Sequence, residues 1–295
     1  MTEQITEEKT IENMAMELIA KDCEVFTDEV LDYPPVALSF GEKTLETRKG
    51  IKKVPIPIGT YGNISFVQAP SKTGKTFFLS LLGGVYLSSQ NIYGGNLKGH
   101  RDGRCLIHFD TEMGLWHTQQ AAKRIESMAG DIDLGCYKKY ALRKLSHRDM
   151  LTFIEYILEE NKGNNGLVII DGVADLVTEV NDIKDGNECV RTLMRLSVEY
   201  DCHIITVIHS NYGSDKATGH LGSTLYKKCE TAISLEKSTT HKGRVDVKCK
   251  LSRGYAFDNF SFEINKYTLP FVVGDIYDPL EGYVRKQPIN KKIPF

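Results

Sequence analysis

The chain has 295 residues, of which 41% are hydrophobic and 26% are charged, and its formal net charge is −2. This length suits one large α/β domain, or one domain with appendages. The small net charge excludes a globally basic surface, so local loops or a channel between several copies would have to contact nucleic acid. No apolar run reaches the roughly 18 residues of a membrane span. The polar, acidic first residues argue against a signal peptide.

Seven cysteines are scattered along the chain without a Cys-x-x-Cys pair. An odd number of cysteines without metal-ligand spacing is typical of reduced thiols. We therefore expect a cytoplasmic protein without a membrane partner.

In chain order, the first predicted element is an amphipathic helix over residues 7–21, which a Tyr-Pro-Pro break follows at 33–35. Short extended segments are predicted at 36–40 and 53–58. An apolar run at 64–67 predicts a strand, and the apolar residues at 77–82 predict a helix. Residues 89–102 are rich in Gly and Asn, which predicts a loop.

Strands and helices alternate regularly from Cys105 onward. The predicted strands are 105–109, 140–143, 166–170 and 203–208, and the predicted helices between them are 115–128, 148–160 and 188–199. Nearly continuous apolar strands separated by helices indicate a parallel sheet covered on both faces. Later strands at 231–235, 244–248 and 260–264 have no helices between them, which predicts an antiparallel extension.

These patterns predict three regions. We expect an N-terminal helical arm at 1–35, an α/β domain at 36–275 and an irregular, mildly basic tail at 276–295.

Residues 69–76 read Ala-Pro-Ser-Lys-Thr-Gly-Lys-Thr between a predicted strand and a predicted helix. This is the layout of a phosphate-binding P-loop, in which backbone N–H groups and a helix N-terminus surround a polyphosphate. Lys75 would reach the β- and γ-phosphates, and the Thr76 hydroxyl would ligate their Mg²⁺. Ala69 replaces the first Gly of the motif, which would cost stability only if that position required positive φ. If only the Gly-Lys-Thr triplet at 74–76 is considered, the alternative to a phosphate-binding loop is a surface turn.

The P-loop interpretation predicts the residues that contact ATP. They are Ala69, Pro70, Ser71, Lys72, Thr73, Gly74, Lys75, Thr76 and Phe77.

Two acids follow predicted strands. The run Leu167–Ile170 leads into Asp171, a position from which a carboxylate can hold Mg²⁺ through water; a loop-capping role is the alternative. Glu112 follows the strand 105–109, which we expect beside the P-loop strand. Glu112 would orient or deprotonate the water that attacks the γ-phosphate. Alternatively, Glu112 stabilises the N-terminus of the next helix.

His209 follows the predicted strand 203–208, where a polar side chain can bind the γ-phosphate and report hydrolysis to the next loop; a structural histidine is the alternative. Because the carboxyl ends of parallel strands meet at one edge, we expect His209, Glu112 and Asp171 at the P-loop side of the sheet. The long polar loop 211–222 contains Lys216 and His220. It is either a solvated loop or a segment that moves with nucleotide state and contacts a polymer. Residues 179–187 have the same two interpretations.

Lys248, Lys250 and Arg253 form a basic segment that we expect between two strands. A cation there would neutralise γ-phosphate charge on a neighbouring subunit, as an arginine finger does. A solvated charged face is the alternative.

In this order, the motifs resemble the RecA-like ATPase core of recombinases, DnaB-type hexameric helicases and RepA-type replication helicases of plasmids and mobile elements. The resemblance covers roughly residues 50–270, with 69–76 matching Walker A, apart from Ala69, and 167–171 matching Walker B. Glu112 matches the catalytic base, and His209 falls at the γ-phosphate sensor.

The resemblance also implies partners. It implies a homo-oligomeric ring, usually a hexamer, with ATP at subunit interfaces and single-stranded DNA in the channel. Lys216 and His220 would then lie in the DNA-contacting loop. Lys250 and Arg253 look like the basic pair that enters the next subunit's site, but their spacing differs by one residue, so only Arg253 is carried over.

The sequence thus predicts an ATP-driven, Mg²⁺-dependent motor on single-stranded DNA. The alternatives are an ATP-dependent oligomeric DNA-binding or regulatory module, and a recombinase-like filament protein without unwinding activity. A small-molecule kinase is disfavoured because no lid segment with clustered arginines is evident. The adenine-contacting residues stay open, with Trp116, His117 and Arg124 as candidates.

Overall fold

The computed structural model describes residues 2–30, 32–47, 50–131, 133–210 and 217–274. The helices are α1 (Thr2–Cys23), α2 (Lys75–Leu87), α3 (Leu115–Ala129), α4 (His147–Glu160), α5 (Ile183–Glu199) and α6 (Gly219–Lys228). The strands before residue 142 are β1 (Val36–Thr47), β2 (Gly50–Thr60), β3 (Ile64–Ala69), β4 (Leu97–Gly99), β5 (Cys105–Asp110) and β6 (Tyr137–Ala141). The later strands are β7 (Asn165–Asp171), β8 (His203–His209), β9 (Thr231–Lys237), β10 (Val245–Ser252), β11 (Phe260–Ile264) and β12 (Pro270–Val272).

The chain divides into two compact units, Met1–Tyr33 and Pro34–Phe295. The first unit contains α1, which confirms the predicted helix at 7–21 and extends it at both ends. The predicted tail at 276–295 lies outside the described residues.

A nine-stranded sheet forms the centre of the second unit, in the order β12-β11-β10-β9-β3-β8-β7-β5-β6. The strands from β9 to β6 run parallel, and β10, β11 and β12 continue the sheet antiparallel. This arrangement confirms the predicted α/β, RecA-like fold with antiparallel strands at its C-terminal end.

Each face of the sheet is covered by its own apolar core. The core on one face includes α2 and α3, with Leu82 and Ile125 fully buried. The core on the other face includes α4, α5 and α6, with Leu193 and Leu221 fully buried. Burial on both faces explains why the central strands read as apolar runs rather than as alternating patterns.

The position of β5 corrects one expectation. We expected the strand that precedes Glu112 to lie beside the P-loop strand β3, but β8 and β7 separate the two. Because β5, β7 and β8 are all buried apolar strands, their sequences carry no signal for the order in which they pair. All of their carboxyl ends still meet at one edge of the sheet.

Other predicted boundaries differ from the structure. The extended segments 36–40 and 53–58 are the inner parts of a long hairpin of β1 and β2, and the predicted loop 89–102 contains β4. The strand predicted at 140–143 begins earlier, as β6. Lys248 and Lys250 lie within β10 rather than between strands. Polar side chains are common in the parts of these strands that the prediction missed, so the hydrophobic signal of those parts was weak.

Candidate nucleotide-binding site

The segment between β3 and α2 has the backbone of a phosphate-binding loop. Lys72 and Gly74 adopt the left-handed region, with φ of 59° and 101°, and α2 begins at Lys75 directly afterwards. A Cβ at position 74 would be strained by this φ, which explains the glycine. Ala69, in contrast, ends β3 in extended backbone, so its methyl group carries no strain. The missing first glycine of the motif therefore does not disturb the loop.

Lys75 extends from the first turn of α2 toward the end of β8. Its Nζ donates to the carbonyl of Pro70 at 3.2 Å and lies 3.1 Å from Nδ1 of His209. Burial lowers the pKa of Lys75, and the carboxylates of Glu112 and Asp171 oppose this shift. The lysine thus lies where the P-loop interpretation needs it.

His209 joins the loop to the second acid. Its Nδ1 lies within 3.3 Å of the Ser71 hydroxyl as well as near Lys75, and its Nε2 is 3.9 Å from an oxygen of Glu112. Because Lys75 can only donate, Nδ1 is the acceptor and Nε2 carries the proton. Burial and the charge of Lys75 lower the pKa of His209, which favours the neutral ring. The structure therefore brings Lys75, His209 and Glu112 together.

Glu112 presents its carboxylate to solvent, and 61% of this side chain is exposed. It does not cap α3, as the alternative interpretation required, because the N-cap of α3 is Gly114, without a side-chain capping bond. Asp110 holds the turn that precedes the helix. The Asp110 carboxylate accepts bonds from the backbone N–H groups of Glu112 and Met113 and from the Thr118 hydroxyl at 2.8 Å. These bonds hold the turn that carries Glu112 at the edge of the sheet.

Asp171 and Thr76 form the second polar pair of the site. The Thr76 hydroxyl donates to Oδ2 of Asp171 at 2.9 Å, and Asp171 is only 4% exposed. Burial, with a contribution from Asp110, raises the pKa of Asp171 to about 7. A hydroxyl beside a buried carboxylate is the oxygen set that Mg²⁺ prefers, and a divalent charge would restore the ionised form. These two residues therefore fit Mg²⁺ bound to a nucleotide phosphate.

Two further polar residues support this edge and were not singled out from the sequence. The Thr111 hydroxyl contacts the carbonyls of Asp171 and Gly172 and donates to Asp175 at 2.8 Å. The only signal for this link was the position of Asp110-Thr111-Glu112 directly after a buried strand. Asp175 lies in the short turn after β7, where nothing in the sequence marks it.

A cleft of about 510 Å³ opens beside Glu112. Its lining includes Asp175, Arg143 and His147, the last of which is at the first turn of α4. Both signs of charge therefore line the space next to the exposed carboxylate of Glu112.

The described residues on either side of 211–216 are joined to one another at His209 and Ser210. The His209 carbonyl accepts bonds from both the N–H and the hydroxyl of Thr218, at 2.9 and 2.7 Å. Ser210 and Ala217 form an antiparallel bridge across the same point. Lys216 lies outside the described residues, and His220 is exposed at the start of α6. The predicted DNA-contacting loop 211–222 thus starts directly after the strand that ends in His209, and its residues 219–222 lie in α6 rather than in a loop.

The predicted neighbour-directed cation, Arg253, contacts the end of α6 in its own chain. Its guanidinium donates to the Lys228 carbonyl at 2.7 Å, and its backbone N–H bonds the Glu230 carbonyl. Lys248 and Lys250 approach Glu236, at 2.5 and 3.8 Å. The structure therefore does not bring Arg253 into the cluster around Lys75, and its action on a neighbouring subunit stays a prediction.

Arg124, one candidate for adenine contact, is engaged within the fold. It lies over the Phe77 ring at 4.0 Å and donates to Ser80 and to the carbonyl of Thr268. Burial lowers its pKa to about 10. Trp116 is half exposed at the start of α3 and stays a prediction.

A family model described as an AAA domain matches residues 33–215. The chain belongs to this AAA-domain family. Among solved structures, one described as an ATPase domain matches with a TM-score of 0.50 and 15% identity, covering 69% of this chain and 82% of that one. At this identity the match supports the shared fold alone. No curated protein matches the chain.

Two features are absent from the part of the chain that the structure describes. None of the described helices combines the length and apolarity needed to cross a bilayer. Among the same residues, no cluster of three or more His, Cys, Asp or Glu side chains is arranged to hold a metal ion.

Proposed function

We propose that this AAA-domain protein hydrolyses ATP with Mg²⁺ and uses the energy to move on single-stranded DNA. The observation that carries the proposal is the position of His209. Its ring lies within reach of Lys75 and Glu112, and its carbonyl anchors Thr218 at the end of the loop that contains Lys216. One residue therefore connects the nucleotide site with the loop that would touch DNA.

Each side chain of the cluster has a defined task in this proposal. Lys75 binds the β- and γ-phosphates, and Thr76 and Asp171 hold the Mg²⁺, which neutralises phosphate charge when it is bound. Glu112 accepts a proton from the attacking water, for which its exposed carboxylate is available. His209 donates from Nε2 toward the same region. Catalysis then depends mainly on positioning and electrostatics.

The proposal includes an oligomer. Arg253 would leave the Lys228 carbonyl and stabilise the γ-phosphate at the site of a neighbouring copy, in a homo-oligomer that we expect to be a hexameric ring. The solved structure that shares this fold is itself described as an ATPase domain. We propose a cytoplasmic, replicative helicase-type ATPase of a plasmid or mobile element. A regulatory module or a filament-forming recombinase is the competing function.

Steady-state ATP hydrolysis with and without single-stranded DNA tests the core of the proposal. We expect stimulation by DNA, and a loss of about a hundredfold or more in Lys75→Ala, because the variant lacks the ammonium group that lies between the loop and His209. Lys216→Ala should lose the stimulation and keep the basal rate. Lys242→Ala, an exposed lysine of the β9–β10 turn, is the matched control. Equal DNA stimulation in the Lys216 variant would refute the loop assignment.

Mixing two inactive variants tests the action of Arg253 across subunits. Lys75→Ala and Arg253→Ala should each be inactive alone, and a mixture should regain part of the activity. In mixed oligomers, an intact P-loop from one copy meets an intact Arg253 from the other. A mass measurement with ATP gives the ring size. A monomeric mass together with no DNA stimulation would contradict the motor and favour a different role for the site.

A further inference from the structure

The hairpin of β1 and β2 projects beyond the sheet to which it belongs. The third strand, β4, pairs only with Leu38–Phe40 of β1. Pairing between β1 and β2 continues outward from Glu42 and Pro55 to Thr47 and Gly50. At about 3.3 Å per residue, this outer part is a two-stranded ribbon roughly 20 Å long.

The outer ribbon is exposed and contributes little to the folded core. Residues 50–53 are all exposed, and Ile51 has 76% of its surface accessible. A two-stranded ribbon without a covering layer is marginally stable in water. Because this exposed ribbon does little to stabilise the ATPase core, we expect it to have a separate function.

The charge of this ribbon differs from that of the chain. In the sequence, residues 42–53 contain five cations and two carboxylates, whereas the whole chain has a net charge of −2; the cations among the described residues of this range are Lys43, Lys52 and Lys53. Lys52 and Lys53 are neighbours in β2 and therefore point to opposite faces. One of the carboxylates, Glu42, is bound by Lys98 at 3.0 Å, which lowers the pKa of Glu42. Positive charge is thus left on both faces.

The base of the ribbon is attached firmly to the ATPase core. Phe40 stacks on Phe260 with ring centres 4.0 Å apart. Farther out, Nζ of Lys43 lies 3.4 Å from the centre of the Tyr255 ring, two residues from Arg253. The ribbon is therefore a positioned arm, and it contacts the segment that we propose to enter a neighbouring subunit.

We infer that this ribbon binds the backbone of duplex DNA, with Lys52 and Lys53 contacting phosphates. A two-stranded ribbon has the width of the major groove, and lysines on its two faces would meet the phosphates on either side. Proteins that bind single strands present aromatic platforms, whereas residues 42–55 contain no aromatic side chain. The choice of DNA as partner rests on the proposed function, and the preference for a duplex rests on the ribbon alone.

Binding of the full chain to a short blunt duplex and to a single strand of the same length tests the inference. The double variant Lys52→Glu and Lys53→Glu should weaken duplex binding by about tenfold or more at low salt. The slope of log affinity against log salt should become shallower by about 0.9 for each lost phosphate contact. Single-strand binding and basal ATP hydrolysis should stay unchanged. The double variant Lys52→Ala and Lys53→Ala, which keeps strand pairing, should also weaken duplex binding, but by a smaller factor.

The control double variant is Lys162→Glu with Lys242→Glu, which makes the same charge change at exposed sites outside the ribbon. An equal loss in this control would overturn the inference, because it would reflect net charge alone. Unchanged duplex affinity and slope in the Lys52 and Lys53 variants would also overturn it. A variant that binds the duplex normally but loses self-association would assign the ribbon to a protein interface instead. Because DNA-free ATP hydrolysis and single-strand binding are measured separately, failure of the proposed function would be recognised independently.

Discussion

Asp171→Asn should stabilise the protein in the absence of Mg²⁺ and nucleotide, although it should abolish hydrolysis. The Asp171 carboxyl is buried, and burial and the nearby Asp110 raise its pKa from 3.8 to about 7. The folded protein therefore binds this proton more tightly than the unfolded chain does. Ionising the group costs stability progressively as the pH rises from the unfolded pKa toward the folded one, and the full cost is present above about pH 7.

The difference between these pKa values corresponds to a cost of about 4 kcal/mol above pH 7 and about 1.5 kcal/mol near pH 5. Asn has no charge to desolvate, and its carbonyl can still accept the bond from Thr76. We therefore expect the variant to exceed the parent in free energy of unfolding, with an advantage that grows by about 2.5 kcal/mol between pH 5 and pH 8.

Urea unfolding at both pH values, without Mg²⁺ or nucleotide, measures this difference. Asp131→Asn, which changes an exposed carboxylate, is the control and should alter stability little at either pH. An Asp171→Asn variant that is less stable than the parent at pH 8, or whose advantage does not depend on pH, would refute the reasoning. Added Mg²⁺ and ATP should stabilise the parent more than the variant, because the metal compensates the buried charge only in the parent.

Two core substitutions test the packing that supports the site. In Gly59→Ala, the new Cβ would lie 2.1 Å from Nε2 of His203, a fully buried ring, and thermal unfolding should show a loss of about 3 kcal/mol or more. Gly172→Ala, where the nearest atom is 3.8 Å away, should be close to neutral, and an equal loss there would contradict the argument. Thr118→Val removes the 2.8 Å bond to Asp110 and should cost about 1–3 kcal/mol, whereas Thr152→Val, at an exposed position of α4, should cost much less. Identical melting temperatures for these two valine variants would rule out a structural role for the Asp110 bond.

The sequence predicted the fold and the edge where the site lies because both depend on local patterns. Buried parallel strands read as apolar runs, and the residue after each run lies at the carboxyl edge. Asp171 and His209 could therefore be placed without knowing which strands are neighbours. The order of those strands was predicted wrongly for β5, since side chains buried on both faces do not encode their pairing partner.

Other features depend on contacts between distant segments and had little local signal. Asp110 lies only two residues before Glu112, and nothing in the sequence distinguishes the acid that holds the turn from the acid that faces solvent. The structure separates them, because three donors converge on Asp110 while Glu112 stays exposed. The outer hairpin was missed because it is largely polar on both faces. It therefore lacks the alternation of apolar and polar residues that marks a half-buried strand.

The contacts of Lys75 indicate how nucleotide binding would reach the DNA loop. Its ammonium is held by the neutral acceptors Pro70 and His209. A phosphate offers charge-assisted bonds that are roughly twice as strong as neutral ones, so it would compete successfully for Lys75 and release Nδ1 of His209. The ring could then rotate toward the phosphate or toward Glu112. Because the same residue anchors Thr218 through two hydrogen bonds, we expect that change to be transmitted to the base of the loop that contains Lys216.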